Sequence, residues 1–214
     1  MTALPPNAQR PRLVPKLLIA GAVVIFCLMV YKLFSPPSAP PEAQTRKYYV
    51  PSFALMERGG RTITNDDLYG HIWVADFIYT TCPGPCPLVS AGMAKLQAAV
   101  AGDPMVQLVT FTVDPETDTA PVLRDYADKL GASKDRWWFL TGTKDQMHAV
   151  ITNGFMLPVV DNSGAPPQPG QYKITHSTQV ALVDKTGVIR GYFDGLSADG
   201  RADVLKAIAK LEKE

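Results

Sequence analysis

The chain has 214 residues, 46% of them apolar, with 21 basic and 20 acidic side chains and a formal net charge of +1. That is room for one domain of ordinary size plus appendages, with enough apolar material for a core. Arg10, Arg12, Lys16 and Lys32 precede every acidic residue, so the chain beyond residue 34 is mildly acidic, which argues against a nucleic-acid-binding face.

In chain order, the first segment reads as a targeting one. Leu17 to Tyr31 is uncharged and apolar, between Lys16 and Lys32. Both lysines can snorkel, so residues 13–34 can lie at membrane depth. Twenty-two helical residues span about 33 Å, enough for a hydrocarbon core of about 30 Å. The rival is a cleaved signal peptide, but its best small-residue site ends at Ala39, with Pro40 following. A lipoprotein signal is disfavoured by the bulky Phe26 before Cys27. The basic cluster ahead of the span places residues 1–12 in the cytoplasm and the rest outside the inner (cytoplasmic) membrane, in an oxidising periplasm if the source is bacterial. Residues 35–46 are a Pro-rich, extended linker, and residues 47–214 form the domain.

Within the domain, Phe53–Met56 and Arg61–Thr64 predict a hairpin around Gly59-Gly60, and Asn65–Leu68 a short turn. Ile72–Tyr79 is a buried strand and Leu88–Val100 a helix. A strand over Val106–Val113, a helix over Ala120–Leu130, a strand over Trp137–Leu140 and a helix over Thr143–Gly154 follow. Pro158–Thr175 holds six Pro or Gly residues and reads as a long loop. Thr178–Val183 and Val188–Phe193 form a last hairpin, and Asp203–Leu211 a closing amphipathic helix. Strands alternating with helices imply a partly parallel sheet covered on both faces, with antiparallel strands added by the hairpin. The expected class is α/β: a thioredoxin-like fold with an added N-terminal hairpin, preceded by one transmembrane helix.

The chemistry concentrates in Tyr79-Thr-Thr-Cys-Pro-Gly-Pro-Cys-Pro87, where Cys82 and Cys86 sit on the turn between strand and helix. Pro87 suits the first helical position. Cys86 lies at the helix N-terminus, where the dipole favours a thiolate. A structural disulfide across four residues closes a tiny loop worth only about 2 kcal/mol by chain entropy. Thiol exchange or binding of a soft metal fits better.

Of the histidines, His71 and His148 read as surface or cap residues. His176 stands between the long loop and a strand, on the connection that faces the cysteine turn in a thioredoxin-like fold. Thioredoxins keep a cis-proline at that point, and here there is none. Two thiolates and one imidazole suit copper, Cu(I) in particular, with an added ligand completing a Cu(II) site. Zinc is the chemical rival, with Asp114 as the one evident base.

Together, Phe77-Ile-Tyr-Thr-Thr-Cys-Pro-Gly-Pro-Cys-Pro87, Val113-Asp-Pro-Glu-Thr-Asp-Thr119, the His176 segment ending in Leu182-Val-Asp184, and Asp67-Leu-Tyr-Gly70 resemble the SCO/SenC (PrrC-like) family. That is a family of membrane-anchored copper chaperones for cytochrome c oxidase. The resemblance covers residues 50 to 195 and the anchor. It implies Cys82, Cys86 and His176 as ligands to Cu(I) and Cu(II), with Asp114 nearby influencing metal handling or docking; the plain alternative for Asp114 is a turn aspartate before Pro115. Gly84-Pro85 departs from the acidic residue more usual between the cysteines. The loop of residues 158–175 is the element expected to bring His176 in and out.

The function implied is delivery of copper to the CuA site of oxidase subunit II, with a periplasmic copper chaperone as a conceivable donor. The same thiols, metal-free, would reduce a disulfide on the recipient. The alternatives are a membrane-anchored thiol–disulfide oxidoreductase and a copper or redox sensor, and His176 separates them: a pure oxidoreductase does not need it.

Overall fold

Two apolar segments dominate the domain, and both become central strands. The computed structural model describes residues 48–164 and 172–214. The expected cytoplasmic segment, anchor and linker, with Cys27, lie outside them. No helix among the described residues is long and apolar enough to cross a membrane.

The elements are β1 (Ala54–Glu57), β2 (Thr62–Thr64), a 3-10 turn (Asn65–Asp67), β3 (Ile72–Ile78), α1 (Cys86–Ala99), β4 (Val106–Thr112), α2 (Ala120–Lys129), β5 (Trp137–Thr141), α3 (Lys144–His148), a π-helical segment (Ala149–Gly154), β6 (Val159–Asp161), β7 (Ile174–His176), β8 (Gln179–Val183), β9 (Ile189–Asp194) and α4 (Ala198–Leu211). Seven strands form one mixed sheet in the order β2-β1-β5-β4-β3-β8-β9. β3, β4 and β5 run parallel, joined through α1 and α2. β8 pairs antiparallel with β3, and β9 with β8. The N-terminal hairpin adds to the opposite side, β1 antiparallel to β5. The expected thioredoxin-like α/β architecture is therefore present, hairpin included.

Every residue of β3 and β4 is buried, as strands covered on both faces must be. Alternation sorts their side chains. On one face Trp73 and Phe77 of β3 meet Phe155, which follows the π segment, edge-on at 5.9 and 5.0 Å between ring centroids. Ring pairs of this kind add about 0.5–1.5 kcal/mol each beyond area burial. Val74, Asp76 and Ile78 point to the other face. There Ser90 of α1 and Tyr126 of α2 share a hydrogen bond of 2.9 Å.

Four local expectations are corrected. The helix begins at Cys86, so Pro87 is its second residue, and Pro85 stands in the cap position. The predicted helix over Thr143–Gly154 is α-helical only to His148, where its capped first turn ends, and then widens to π geometry. The closing helix starts at Ala198 rather than Asp203, because the Ser197 hydroxyl accepts from the Gly200 N–H at 2.9 Å and caps it there. The loop predicted over residues 158–175 is structured at both ends. β6 and β7 pair antiparallel, Val159 opposite His176 and Asp161 opposite Ile174, as a separate two-stranded arm. β-branched Val159, Val160, Ile174 and Thr175 favour that pairing; the Pro- and Gly-rich stretch between them masks it in sequence. Residues 165–171 at its tip lie outside the described residues, and with them the middle of the element expected to move His176.

Candidate metal centre

The cysteine turn hangs from the C-terminal end of β3. The Cys82 N–H donates to the Tyr79 carbonyl at 3.2 Å, closing the turn, and the Pro85 carbonyl accepts from the N–H groups of Leu88 and Val89 to start α1. Thr80 is pinned from outside. Asp118, wholly buried, accepts from the Thr80 N–H at 3.0 Å, from the Thr80 hydroxyl at 2.5 Å and from the Thr112 hydroxyl at 2.5 Å. Burial raises the Asp118 carboxyl, and those hydrogen bonds oppose the rise without cancelling it. Asp118 stands within Val113–Thr119 in the sequence without any role that the segment alone assigns to it. Its spacing of four from Asp114 was the available signal.

Both cysteines are free thiols and both are buried. They are not equivalent. For Cys82, burial pushes the thiol up, but the neighbouring Cys86 thiol, the nearby Cys86 and Gly84 backbone N–H groups and the nearby Tyr79 hydroxyl together outweigh it and lower the thiol. Cys86, at 0% exposure, is raised, chiefly by burial and then by the neighbouring Cys82 sulfur. Cys82 is thus the more readily ionised of the two sulfurs, and Cys86 the less.

The arm delivers the imidazole. His176, the last residue of β7, places Nε2 3.3 Å from the Cys86 Sγ, across 90 residues of sequence. Its other nitrogen, Nδ1, lies 2.8 Å from the Ser177 carbonyl oxygen. A carbonyl can only accept, so Nδ1 carries the proton and the Nε2 lone pair faces the sulfur. Burial lowers the imidazole's basicity, partly offset by that carbonyl. A neutral ring with its free nitrogen aimed at a thiol is the form a soft metal binds. The Cys86–His176 contact places two of the three expected ligands side by side, with Cys82 beside Cys86. Among the described residues no three His, Cys, Asp or Glu side chains already stand as a closed metal cage. The soft donor set fits copper, and the two sulfurs have to settle around it.

Asp114 is not in contact with this trio. It is buried, with its N–H on the Thr112 hydroxyl at 2.9 Å and its Oδ2 2.5 Å from Lys173 Nζ. Lys173 immediately precedes β7, and its ammonium also donates to Thr117 at 3.2 Å. A second ion pair, Lys144 to Asp161 at 2.6 Å, ties α3 to β6. Two ion pairs therefore clasp the arm to the domain. Gly84 has a physical reason too. A Cβ there would stand 2.5 Å from the Tyr172 ring, so glycine lets an arm residue lie over the loop between the cysteines. Lys173 and Tyr172 had no signal in sequence, since a lysine and a tyrosine in a loop are ordinary. His71 and His148 have no part in the centre: His148 is exposed at the end of α3 and His71 precedes β3.

Beneath the turn lies Asp76 of β3, fully buried. Its Oδ1 accepts from the Thr110 hydroxyl at 2.5 Å, while the Trp137 indole donates to the same hydroxyl at 2.8 Å. Its Oδ2 has no partner among the described residues. Burial lifts the carboxyl to about 7.

Residues 41–213 match the family model described as SCO1/SenC. A protein of Stutzerimonas stutzeri whose name includes "copper-binding protein" is 29% identical over 171 residues, covering 78% of this chain and 80% of that one. The crystal structure of a SCO1/SenC family lipoprotein from Bacillus anthracis superposes with a TM-score of 0.69 at 27% identity, covering 78% of this chain and 98% of that one. The structure of BsSco, described as a member of the Sco family of cytochrome c oxidase assembly proteins with a disulfide switch, gives a TM-score of 0.65 at 27% identity over 76% of this chain and 92% of that one.

Proposed function

The chain belongs to the SCO1/SenC family, and from that premise we propose that it is a copper metallochaperone for cytochrome c oxidase assembly, binding Cu(I) or Cu(II) through Cys82, Cys86 and His176. The observation that carries this reading is the 3.3 Å approach of His176 Nε2 to Cys86 Sγ, with Nδ1 committed to a carbonyl. A thiol oxidoreductase does not need an imidazole beside its inner sulfur. A chaperone for a soft ion does. The S. stutzeri relative's name and the BsSco description point the same way.

Copper is cargo here. Capture displaces the Cys86 proton, and the ion then binds two thiolates and one imidazole. Delivery proceeds by ligand exchange, incoming cysteines of the CuA site of oxidase subunit II replacing His176, Cys82 and Cys86 in steps, so that the ion is never bare. The same pair serves as a reductant when metal-free. The Cys82 thiolate attacks a recipient disulfide and releases one thiolate. Cys86 then gives up its proton, which the thiolate already released can take, attacks the Cys82 sulfur, releases the second recipient thiolate, and leaves the Cys82–Cys86 disulfide. The split between a lowered Cys82 and a raised Cys86 suits that order of attack. In this reading residues 13–34 anchor the chain in the inner membrane with the domain in the periplasm, where a periplasmic copper chaperone supplies the metal.

The test is copper stoichiometry of the full chain, with and without His176→Ala, alongside the Cu(II)–thiolate absorption band. One copper per chain, lost or weakened in the variant, upholds the ligand set. A variant that binds as the parent does, while disulfide reduction persists, leaves a thiol–disulfide oxidoreductase or redox sensor as the function.

A further inference from the structure

Tyr79 closes β3's run into the cysteine turn, and it is only 1% exposed. Its hydroxyl makes no hydrogen bond of ordinary geometry among the described residues. The ring stands edge-on to the His176 imidazole, 5.9 Å between centroids at 76°. Its backbone carbonyl receives the Cys82 N–H. The groups its hydroxyl faces are the Cys82 sulfur and the backbone of Ile174. One aromatic side chain thus touches two of the three proposed ligands and keeps an unspent O–H in the driest part of the site.

We propose that Tyr79 is a positioning residue of the metal centre, its hydroxyl donating to the Cys82 sulfur whenever that sulfur is a thiolate, whether in the reduced pair once ionised or in the copper-loaded form. The assignment rests on Cys82, Cys86 and His176 being the ligand set. A thiol or disulfide sulfur is a weak acceptor, whereas a thiolate is a strong one, and a bond to a charged acceptor is about twice as strong as a neutral one. The hydroxyl therefore has a good partner in two states of the site and a poor one in the disulfide. It biases the pair against oxidation and towards holding metal. It also tunes the bound sulfur, because a donor on a copper-ligating thiolate draws down its electron density. A hydroxyl serving only the Ile174 backbone would be structural and would leave the sulfur's behaviour unchanged.

Tyr79→Phe removes one oxygen and keeps the ring against His176. Two readouts on the full chain separate the roles. The first is copper-independent: equilibration of the Cys82–Cys86 pair with glutathione, in which one glutathione disulfide oxidises the dithiol and yields two glutathione thiols. Loss of the donor should shift this equilibrium towards the protein disulfide roughly tenfold. The second is the Cu(II)–thiolate band, which should move to lower energy in the variant, with faster copper loss to a chelator. An unchanged glutathione equilibrium with an unmoved band overturns the proposal. A parent that binds no copper overturns the ligand assignment instead. The glutathione equilibrium alone then decides Tyr79, a tenfold shift supporting its hydrogen bond to Cys82 and no shift eliminating it.

Discussion

Lys173 Nζ lies 2.5 Å from Asp114 Oδ2, and with its bond to Thr117 this contact joins the loop after β4 to the strand that ends in His176. Asp114 is thus tied to the arm that carries His176, and touches none of the three proposed ligands. The carboxylate side chain is 4% exposed and the lysine 43%, so removing the lysine strands a buried acceptor. Lys173→Ala should destabilise the domain by about 1–3 kcal/mol. It should also speed copper loss several-fold without changing stoichiometry. Chelator-competition kinetics read this out, and unchanged kinetics would mean that the arm is held by other contacts.

Asp118 holds the cysteine turn more directly. Asp118→Ala leaves the Thr80 N–H and two hydroxyls without their acceptor inside the protein. A loss of about 3 kcal/mol or more is expected in denaturant unfolding. Cys82 should become more reactive towards alkylating reagents as the turn loosens.

Asp76 links stability to pH. Its folded-state value near 7 lies above the ordinary 3.8, so the unfolded chain releases this proton first. Stability from this group is complete below about pH 4, falls as pH rises, and has been lost above about pH 7, a difference of about 4 kcal/mol. Asp76→Asn has no such titration. Between pH 4 and pH 8, metal-free variant and parent should diverge in the variant's favour by about that amount in urea melts. A constant difference would show that Asp76 does not titrate in this range.

Gly84 yields to Tyr172. Gly84→Asp restores the acidic residue more usual in the family but places a Cβ against the Tyr172 ring, which has to leave. Cys82 alkylation should accelerate in this variant and equally in Tyr172→Ala. Slowing in the first with acceleration in the second would assign the first to its added negative charge, which disfavours the Cys82 thiolate, and the second to uncovering.

Local periodicity and residue type already carried much of the fold. The predominantly apolar, β-branched and aromatic runs at Ile72–Ile78 and Val106–Thr112 are short enough for buried strands, and Pro and Gly at residues 83–85 break them into a turn. Those patterns sufficed for the β-α-β order, the terminal hairpins and the place of Cys82 and Cys86. His176 was reachable because a fold with that order brings its connection to the cysteine turn. Tertiary structure alone decided which long-range partners each polar group takes. Asp114 faces Lys173 across 59 residues, Thr80 faces Asp118 across 38, and Gly84 lies under Tyr172. The two-stranded arm also emerged only there. Three residues a side carry too little periodicity to read, and short strands form only once a partner is brought alongside. The asymmetry of the two thiols has the same origin, since burial and the hydrogen bonds that oppose it are properties of packed neighbours and not of the C-x-x-x-C spacing.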